Sequence, residues 1–470
     1  MRLFPLYTWT KGIRNFSHRR RRFSNQPWAQ GAILLGCVVI AMLLANLPFT
    51  KEFYHSVLET QASIFFKVPG GRDVMFPRGM TIESFINDIL MTVFFFTVGL
   101  EIRREMKNGE LSSMKKALMP VIAAFGGVAA PALIFAVINH GTPASSGWGI
   151  PTATDIAFAV GILSILGDKV PVSLKVFLTA LAIADDLIAI LVVAIFYGGA
   201  INFGLLSIAA LLIIGIVIMG KLGEKRVWYY LIPAVAIWAL FYYSGIHSTM
   251  SGVVMAFLVP MTPRYNEAYF RRKRRQYINR LNEYNVIESS AREFPNGPQR
   301  HCLRRMSAIS TGSIPMSYRL EHALGPWVNF LIMPLFALAN AGVEITDISY
   351  FNVFHFDPAL GGVSMGIFLG LLVGKPLGIS LASFLAVKFK AGEMPAGASW
   401  KMLIAVACLG GIGFTMSIFV DTLSFSDQAP EVMLRLRDMG KMAVLLGSLG
   451  AGLLGSLLIT IVHRLESRRK

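Results

Sequence analysis

The chain has 470 residues, of which 54% are hydrophobic and only 15% charged, and its mean hydropathy is +0.57. This balance excludes an ordinary soluble domain, which carries about 25% charged residues, and indicates an all-α polytopic membrane protein. The net charge of +17 would suit nucleic acid, but the Lys and Arg residues sit in the tail, the connectors and one linker between apolar runs, so no nucleic-acid partner is implied. Cys37, Cys302 and Cys408 have no repeated spacing, which gives neither a disulfide framework nor a zinc site.

In chain order, a basic tail over 1–27 with Arg19 to Arg22 precedes the first apolar run and is expected to set orientation on the cytoplasmic face. Apolar runs of spanning length follow near 28–48, 82–100, 117–138, 149–166, 172–197, 203–220, 227–243 and 248–261, which places eight spans within 28–263. A turn signal at Val68-Pro-Gly-Gly71 suggests an external hairpin inside 52–78. The polar stretch 264–318, with Arg271-Arg-Lys-Arg-Arg275, reads as a mobile basic cytoplasmic linker. Runs near 322–343, 361–387, 401–420 and 439–463 place four more spans within 319–464, before a cytoplasmic tail over 465–470. Lys and Arg concentrate in alternate connectors, which predicts about twelve transmembrane helices with both termini cytoplasmic. Connector 49–80 and the stretch from Asp421 to Lys441 carry mixed charges and fit this alternation least well.

The chemistry gathers in a few polar residues inside apolar runs. Asp185 and Asp186 lie near the middle of the run from Val172 to Tyr197. A charge at that depth disfavours insertion by ~2.5–3.5 kcal/mol, so it is retained where it faces a cavity or a partner. Neighbours on a helix point about 100° apart, so one carboxylate is expected to face an ion and the other a partner. Asp155 and Lys375 are further ionisable groups within apolar runs. Pro151 with Thr152-Ala-Thr-Asp155, and Gly410-Gly-Ile-Gly-Phe-Thr415, predict two spans that unwind at mid-membrane. Freed helix ends there need counter-charges, a role available to Asp155 and Lys375. Thr154 has two readings, an ion-ligand hydroxyl or a cap on a half-helix. Interrupted spans in corresponding stretches, here 117–197 and 361–463, point to the substrate site of inverted-repeat transporters, a rule drawn in part from the family named next.

The motifs Asn87-Asp-Ile-Leu-Met-Thr-Val-Phe-Phe-Phe-Thr-Val-Gly-Leu-Glu101, Pro151-Thr-Ala-Thr-Asp-Ile-Ala-Phe-Ala159, Leu181-Ala-Ile-Ala-Asp-Asp-Leu187, Pro334-Leu-Phe-Ala-Leu-Ala-Asn-Ala-Gly-Val343, Gly374-Lys-Pro-Leu-Gly-Ile-Ser380 and Gly411-Ile-Gly-Phe-Thr-Met-Ser-Ile-Phe419 closely resemble the NhaA-type sodium/proton antiporters of bacteria. The resemblance runs in order from the first span to the last. It implies twelve helices with inverted repeats, the fourth and eleventh broken and crossing at mid-membrane. It further implies electrogenic exchange of cytoplasmic Na⁺ or Li⁺ for external protons, two protons per sodium ion, in the inner membrane and as a homodimer. No cofactor is expected; Na⁺, Li⁺ and H⁺ are cargo, and the lipid bilayer is the remaining partner. By the same resemblance Asp186 binds the ion, assisted by Asp185, and Lys375 pairs with Asp185. A cytoplasmic cluster comprising Glu101, Arg104, Glu105, Arg319, Glu321 and His322 is linked to activation at alkaline pH. Tyr318 and Gly325 depart from the family pattern there, and the 264–318 stretch is longer than in well-studied relatives.

The residues alone agree with exchange of this kind, because Na⁺ is a hard cation that prefers oxygen ligands. Burial and neighbouring charges tune the proton affinity of carboxyls, so one acidic site can hold either ion. Two other classes fit less well. An intramembrane aspartyl protease needs a second motif Gly-x-Gly-Asp, and Gly411-Ile-Gly-Phe has no acid there. A cation channel uses rings of carboxylates, whereas the Asp185–Asp186 pair is not a repeated pore element.

Overall fold

The computed structural model describes residues 27–66, 74–77, 79–199, 201–287, 297–345 and 348–468. Among these the chain is helical apart from a two-stranded hairpin, in which Ile64–Phe66 pairs antiparallel with Val74–Phe76. The hairpin anticipated within 52–78 is therefore present, while its Val68-to-Gly71 turn and the Arg19-to-Arg22 tail lie outside the described residues.

Among the described residues, eight helices are long and apolar enough to cross a membrane: Trp28–Asn46, Ile82–Asn108, Ala117–Ile138, Val172–Phe196, Phe203–Lys221, Met316–Asn340, Val363–Lys388 and Pro430–Ser467. Two more spans are bent pairs, Pro143–Thr152 with Ile156–Lys169 at 41° and Trp400–Leu409 with Phe414–Leu423 at 50°. The structure thus gives up to 10 spans by length and composition. The other two apolar runs fold as shorter helices, Trp228–Ser244 of 17 residues and Met250–Leu258 of 9.

The breaks have local causes. In the fourth span the first half is a 3₁₀ helix containing Pro151, Ala153 is extended, and Asp155 caps Ile156–Leu166 by accepting from Phe158 N at 3.2 Å. In the second bent pair, Ser399 caps Trp400–Leu409 through Met402 N at 3.2 Å, and the helix gives way at Gly410 to Gly413. A Cβ on Gly411 would stand 2.2 Å from the Leu371 carbonyl oxygen, so only glycine permits that approach.

The described residues form two compact units. The first comprises the described residues within 1–91, 105–199 and 328–470, and holds both bent pairs. Within it, Met114–Ile138 and Lys375–Lys388 touch backbone to backbone. A Cβ on Gly126 would lie 2.4 Å from the Gly378 carbonyl oxygen, and one on Gly378 would lie 2.1 Å from that of Gly126. Small residues give such approach in helical membrane proteins, and here the contact fixes the start of the helix that bears Lys375. A π-helical turn at Gly370–Gly374 immediately precedes that lysine, a local irregularity common at functional sites. Asn87 and Asn340 exchange reciprocal amide hydrogen bonds of 3.0 and 2.7 Å, which join two helices far apart in sequence.

The second unit comprises residues 92–104 and 200–327. Ile216, Tyr230, Ile237, Phe241 and Met255 are buried in its core. Asn202 caps the Phe203–Lys221 helix through Gly204 N and Leu205 N, at 3.1 and 3.3 Å. The 264–318 stretch is not a featureless linker: it contains the helices Glu267–Ile287 and Gly297–Gly312, packed on each other. Long-chain Arg, Lys, Gln and Glu residues favour helix without supplying hydropathy, which is why apolar periodicity gave no sign of them.

Candidate ion site

The two breaks meet. Asp155 N donates to the Ile412 carbonyl at 2.6 Å, and Thr154 Oγ1 donates to the Gly410 carbonyl at 2.8 Å. Asp155 serves both outgoing half-helices: its Oδ1 accepts from Phe158 N, and its Oδ2 accepts from Thr415 N at 3.2 Å and from the Thr415 hydroxyl. One carboxylate therefore neutralises two helix N-termini, each carrying about half a positive charge. Both oxygens of Asp155 are thereby engaged with the two half-helices. Ser417 Oγ adds a bond to the Ile150 carbonyl at 2.7 Å, and Ser448 Oγ accepts from Phe414 N at 3.0 Å.

Lys375 lies on the other side of this crossing. Its Nζ donates to Asp185 Oδ2 and to Thr154 Oγ1, and the whole side chain is buried. The lysine thus balances Asp185 while reaching, through Thr154, the carbonyl end of Trp400–Leu409. Asp186, 2% exposed, is within electrostatic reach of the same ammonium. Asp185 is 1% exposed, and its Oδ1 has no hydrogen-bond partner among the described residues. A buried ion pair costs several kcal/mol of desolvation per ion and is held together by mutual attraction. Such a pair is stable only while both members are charged, so changing the charge of either one disturbs the other.

The structure therefore brings Thr154, Asp155, Asp185, Asp186 and Lys375 together, though they come from three separate stretches of sequence. Thr415 and Ser448 are added partners; Thr415 lay within a quoted motif, and Ser448 lies among the glycines of the last helix. Within the second unit, Arg104 Nη1 is 3.4 Å from Glu321 Oε1 and its Nη2 is 3.8 Å from Glu101 Oε1. His322 sets its ring edge-on to Tyr318 at 4.3 Å between centroids. Arg319 and His247 belong to that unit as well; Glu105 belongs to the first, where it accepts from Glu110 N at 3.2 Å.

The sequence model of the Na⁺/H⁺ antiporter 1 family matches residues 21–459. The chain is a member of this family. It is 41% identical over 448 residues to the Na(+)/H(+) antiporter NhaA 2 of Helicobacter hepaticus, covering 94% of each chain. It is 39% identical over 441 residues to the Na(+)/H(+) antiporter NhaA of Wolinella succinogenes, covering 94% of this chain and 92% of that one. The NhaA of Bacteroides thetaiotaomicron is 40% identical over 457 residues, with 96% and 98% covered. As a member of the Na⁺/H⁺ antiporter 1 family this multi-span membrane protein belongs with transporters, not enzymes, and its quoted motifs, from Asn87 to Phe419, all lie within the matched region.

Proposed function

We propose that this chain is an electrogenic antiporter that exports Na⁺ or Li⁺ in exchange for external H⁺ at a site made of Asp185, Asp186 and Lys375. The observation that carries the reading is the fully buried contact of Lys375 with Asp185, beside Asp186, where two broken helices meet. Na⁺ and the lysine ammonium seek the same oxygens. A cation entering between Asp186 and Asp185 displaces Lys375, and protons returning to Asp186 and Lys375 restore the pair. In the protonated state Lys375 and Asp185 are charged and Asp186 is neutral, so the three groups sum to zero. With Na⁺ bound, Lys375 neutral and both aspartates ionised, the sum is minus one. Exchanging the two states moves two protons per Na⁺ and one net charge.

Both carboxylates are shut off from solvent in this conformation. Exchange needs a change that exposes them to one face and then the other, and antiport follows if only a loaded site makes that change. The proposal includes a bacterial inner-membrane location, twelve spans completed by Trp228–Ser244 and Met250–Leu258, inverted repeats, cytoplasmic termini, a homodimer, and pH regulation through the Glu101, Arg104, Glu105, Arg319, Glu321 and His322 group. The Lys51–Glu344 ion pair supports the span alternation, since it joins the connector after the first span to the connector after the ninth.

Sodium-induced pH change in everted vesicles tests the site. Asp186→Asn is expected to abolish the signal and Asp185→Asn to impair it severely; near-normal exchange in both refutes the assignment. Protons and Na⁺ share one site, so protonation at lower pH leaves fewer free carboxylates and apparent Na⁺ affinity falls. Affinity that stays constant from about pH 6 to about pH 9, the range over which such carboxyls are tuned, rules against sharing. A second reading, favoured by the Lys375–Thr154–Gly410 chain, keeps Lys375 charged throughout as a counter-charge for the helix end. Under it Lys375→Arg retains the wild-type stoichiometry; under the first reading it loses one proton per cycle.

A further inference from the structure

Asp421 ends the second half of the eleventh span, and no role at the central site uses it. It is completely buried, and neither of its carboxylate oxygens has a hydrogen-bond partner among the described residues. Its Oδ1 occupies a notch on the last helix that only glycine leaves open, since a Cβ on Gly440 would lie 2.0 Å away. Arg437, Asp438 and Lys441, all within one turn of that notch, act on it electrostatically, and its carboxylate in turn acts on the Tyr197 phenol at the end of the helix that bears Asp185 and Asp186. Asp438 in turn interacts with Glu344 and His55, and Glu344 pairs with the partly exposed Lys51. Ionisable groups therefore run from a wholly buried acid to the surface. Those other than Tyr197 belong to the two mixed-charge stretches of the sequence and to the connector at Glu344.

We propose that Asp421 is a proton-capture station, feeding the central aspartates from the outer face through the run Asp421, Lys441, Asp438, His55 and Glu344. This rests on the antiport reading and on the orientation proposed above. The station stands about 9 Å along its half-helix from Thr415, and Tyr197 stands about 16 Å along its helix from Asp186. Asp421 is wholly enclosed, with no oxygen ligand beside it among the described residues to complete a shell for Na⁺, so the ligand it can take up is a proton.

The test uses the full chain in proteoliposomes, with the pH of each face set separately. Asp421→Asn is expected to slow Na⁺-driven exchange roughly fivefold with the outer face near pH 8, and less than about twofold near pH 6, because a relay matters most where protons are scarce. Half-saturation by Na⁺ at the inner face stays unchanged, and Asp421→Glu restores the outer-pH profile. An outer profile that superimposes on wild type overturns the proposal, and so does an equal loss at both values. If Asp421→Asn does not accumulate, Asp438→Asn carries the same expectation and the same overturning result. Infrared difference spectra of the purified chain read protonation without transport. They are expected to show a titrating carboxyl band that disappears in Asp421→Asn and persists in Asp186→Asn. Absence of such a band overturns the station, whereas a wild-type chain that has the band but moves no Na⁺ overturns the antiport reading instead.

Discussion

Asp155 and Asp185 lie at the same helix crossing and are buried alike, at 2% and 1% exposure, yet their oxygens are used differently. Asp155 takes two backbone N–H groups and a hydroxyl, and both of its oxygens are engaged. Asp185 gives one oxygen to Lys375 and keeps the other without a hydrogen-bond partner among the described residues. A carboxylate tied to two helix ends cannot release its donors without unwinding the crossing. A carboxylate tied to a single flexible ammonium can exchange that partner for another cation. Under the proposed exchange the contrast separates a fixed counter-charge from an exchangeable one, although sequence presents both as acids in apolar spans.

The largest effect expected from this contrast is at Lys375. Lys375→Ala leaves Asp185 buried without its counter-charge, and loss of one partner of a buried pair costs about 3–5 kcal/mol. Thermal unfolding in detergent is expected to show that loss, and Lys375→Ala combined with Asp185→Asn is expected to recover most of it. Additive losses in the double variant would mean that the two side chains do not depend on each other, which breaks the comparison.

Asp155→Asn comes next. The amide keeps one acceptor but withdraws the negative charge from two helix N-termini, a loss of about 1–2 kcal/mol. Exchange by the folded fraction is expected to persist, with a pH dependence of Na⁺ affinity parallel to wild type. A changed slope would move Asp155 from support into the ion site.

Much of this arrangement was legible beforehand. Pro151 and Gly410-Gly411 marked the breaks, because an imide nitrogen and bare backbone are local properties. Asp185, Asp186 and Lys375 announced themselves through the cost of charge in an apolar run. What was hidden depends on distant parts of the chain coming together. That Gly126 meets Gly378, and so sets the position of Lys375, depends on two helices some 250 residues apart finding one register. Asp421 read as connector charge, since hydropathy cannot tell a buried acid at a span end from a solvated one. The helices within 264–318 are mostly polar, and the short stripe of Cys302, Met306 and Ile309 on the second is too sparse to mark a span by hydropathy.

Thr154 gives the smallest and sharpest test, because sequence left it between ligand and cap. In the structure its hydroxyl is already occupied on both sides, accepting from Lys375 and donating to the Gly410 carbonyl. Oxygen lone pairs turned toward an ammonium are poorly placed for Na⁺ until the lysine leaves, so the hydroxyl acts first as a strut between the lysine and the eleventh span. Thr154→Val keeps the shape and removes the strut, and is expected to cost about 1 kcal/mol of stability, the net worth of a typical hydrogen bond. Thr154→Ser keeps the hydroxyl and is expected to stay within about 0.5 kcal/mol. Half-saturation by Na⁺ in Thr154→Val is expected to rise less than about fivefold, in line with a bond of that size. A rise of tenfold or more, with the melting temperature unmoved, would make Thr154 a ligand of the ion and enlarge the exchangeable half of the crossing at the expense of the fixed one.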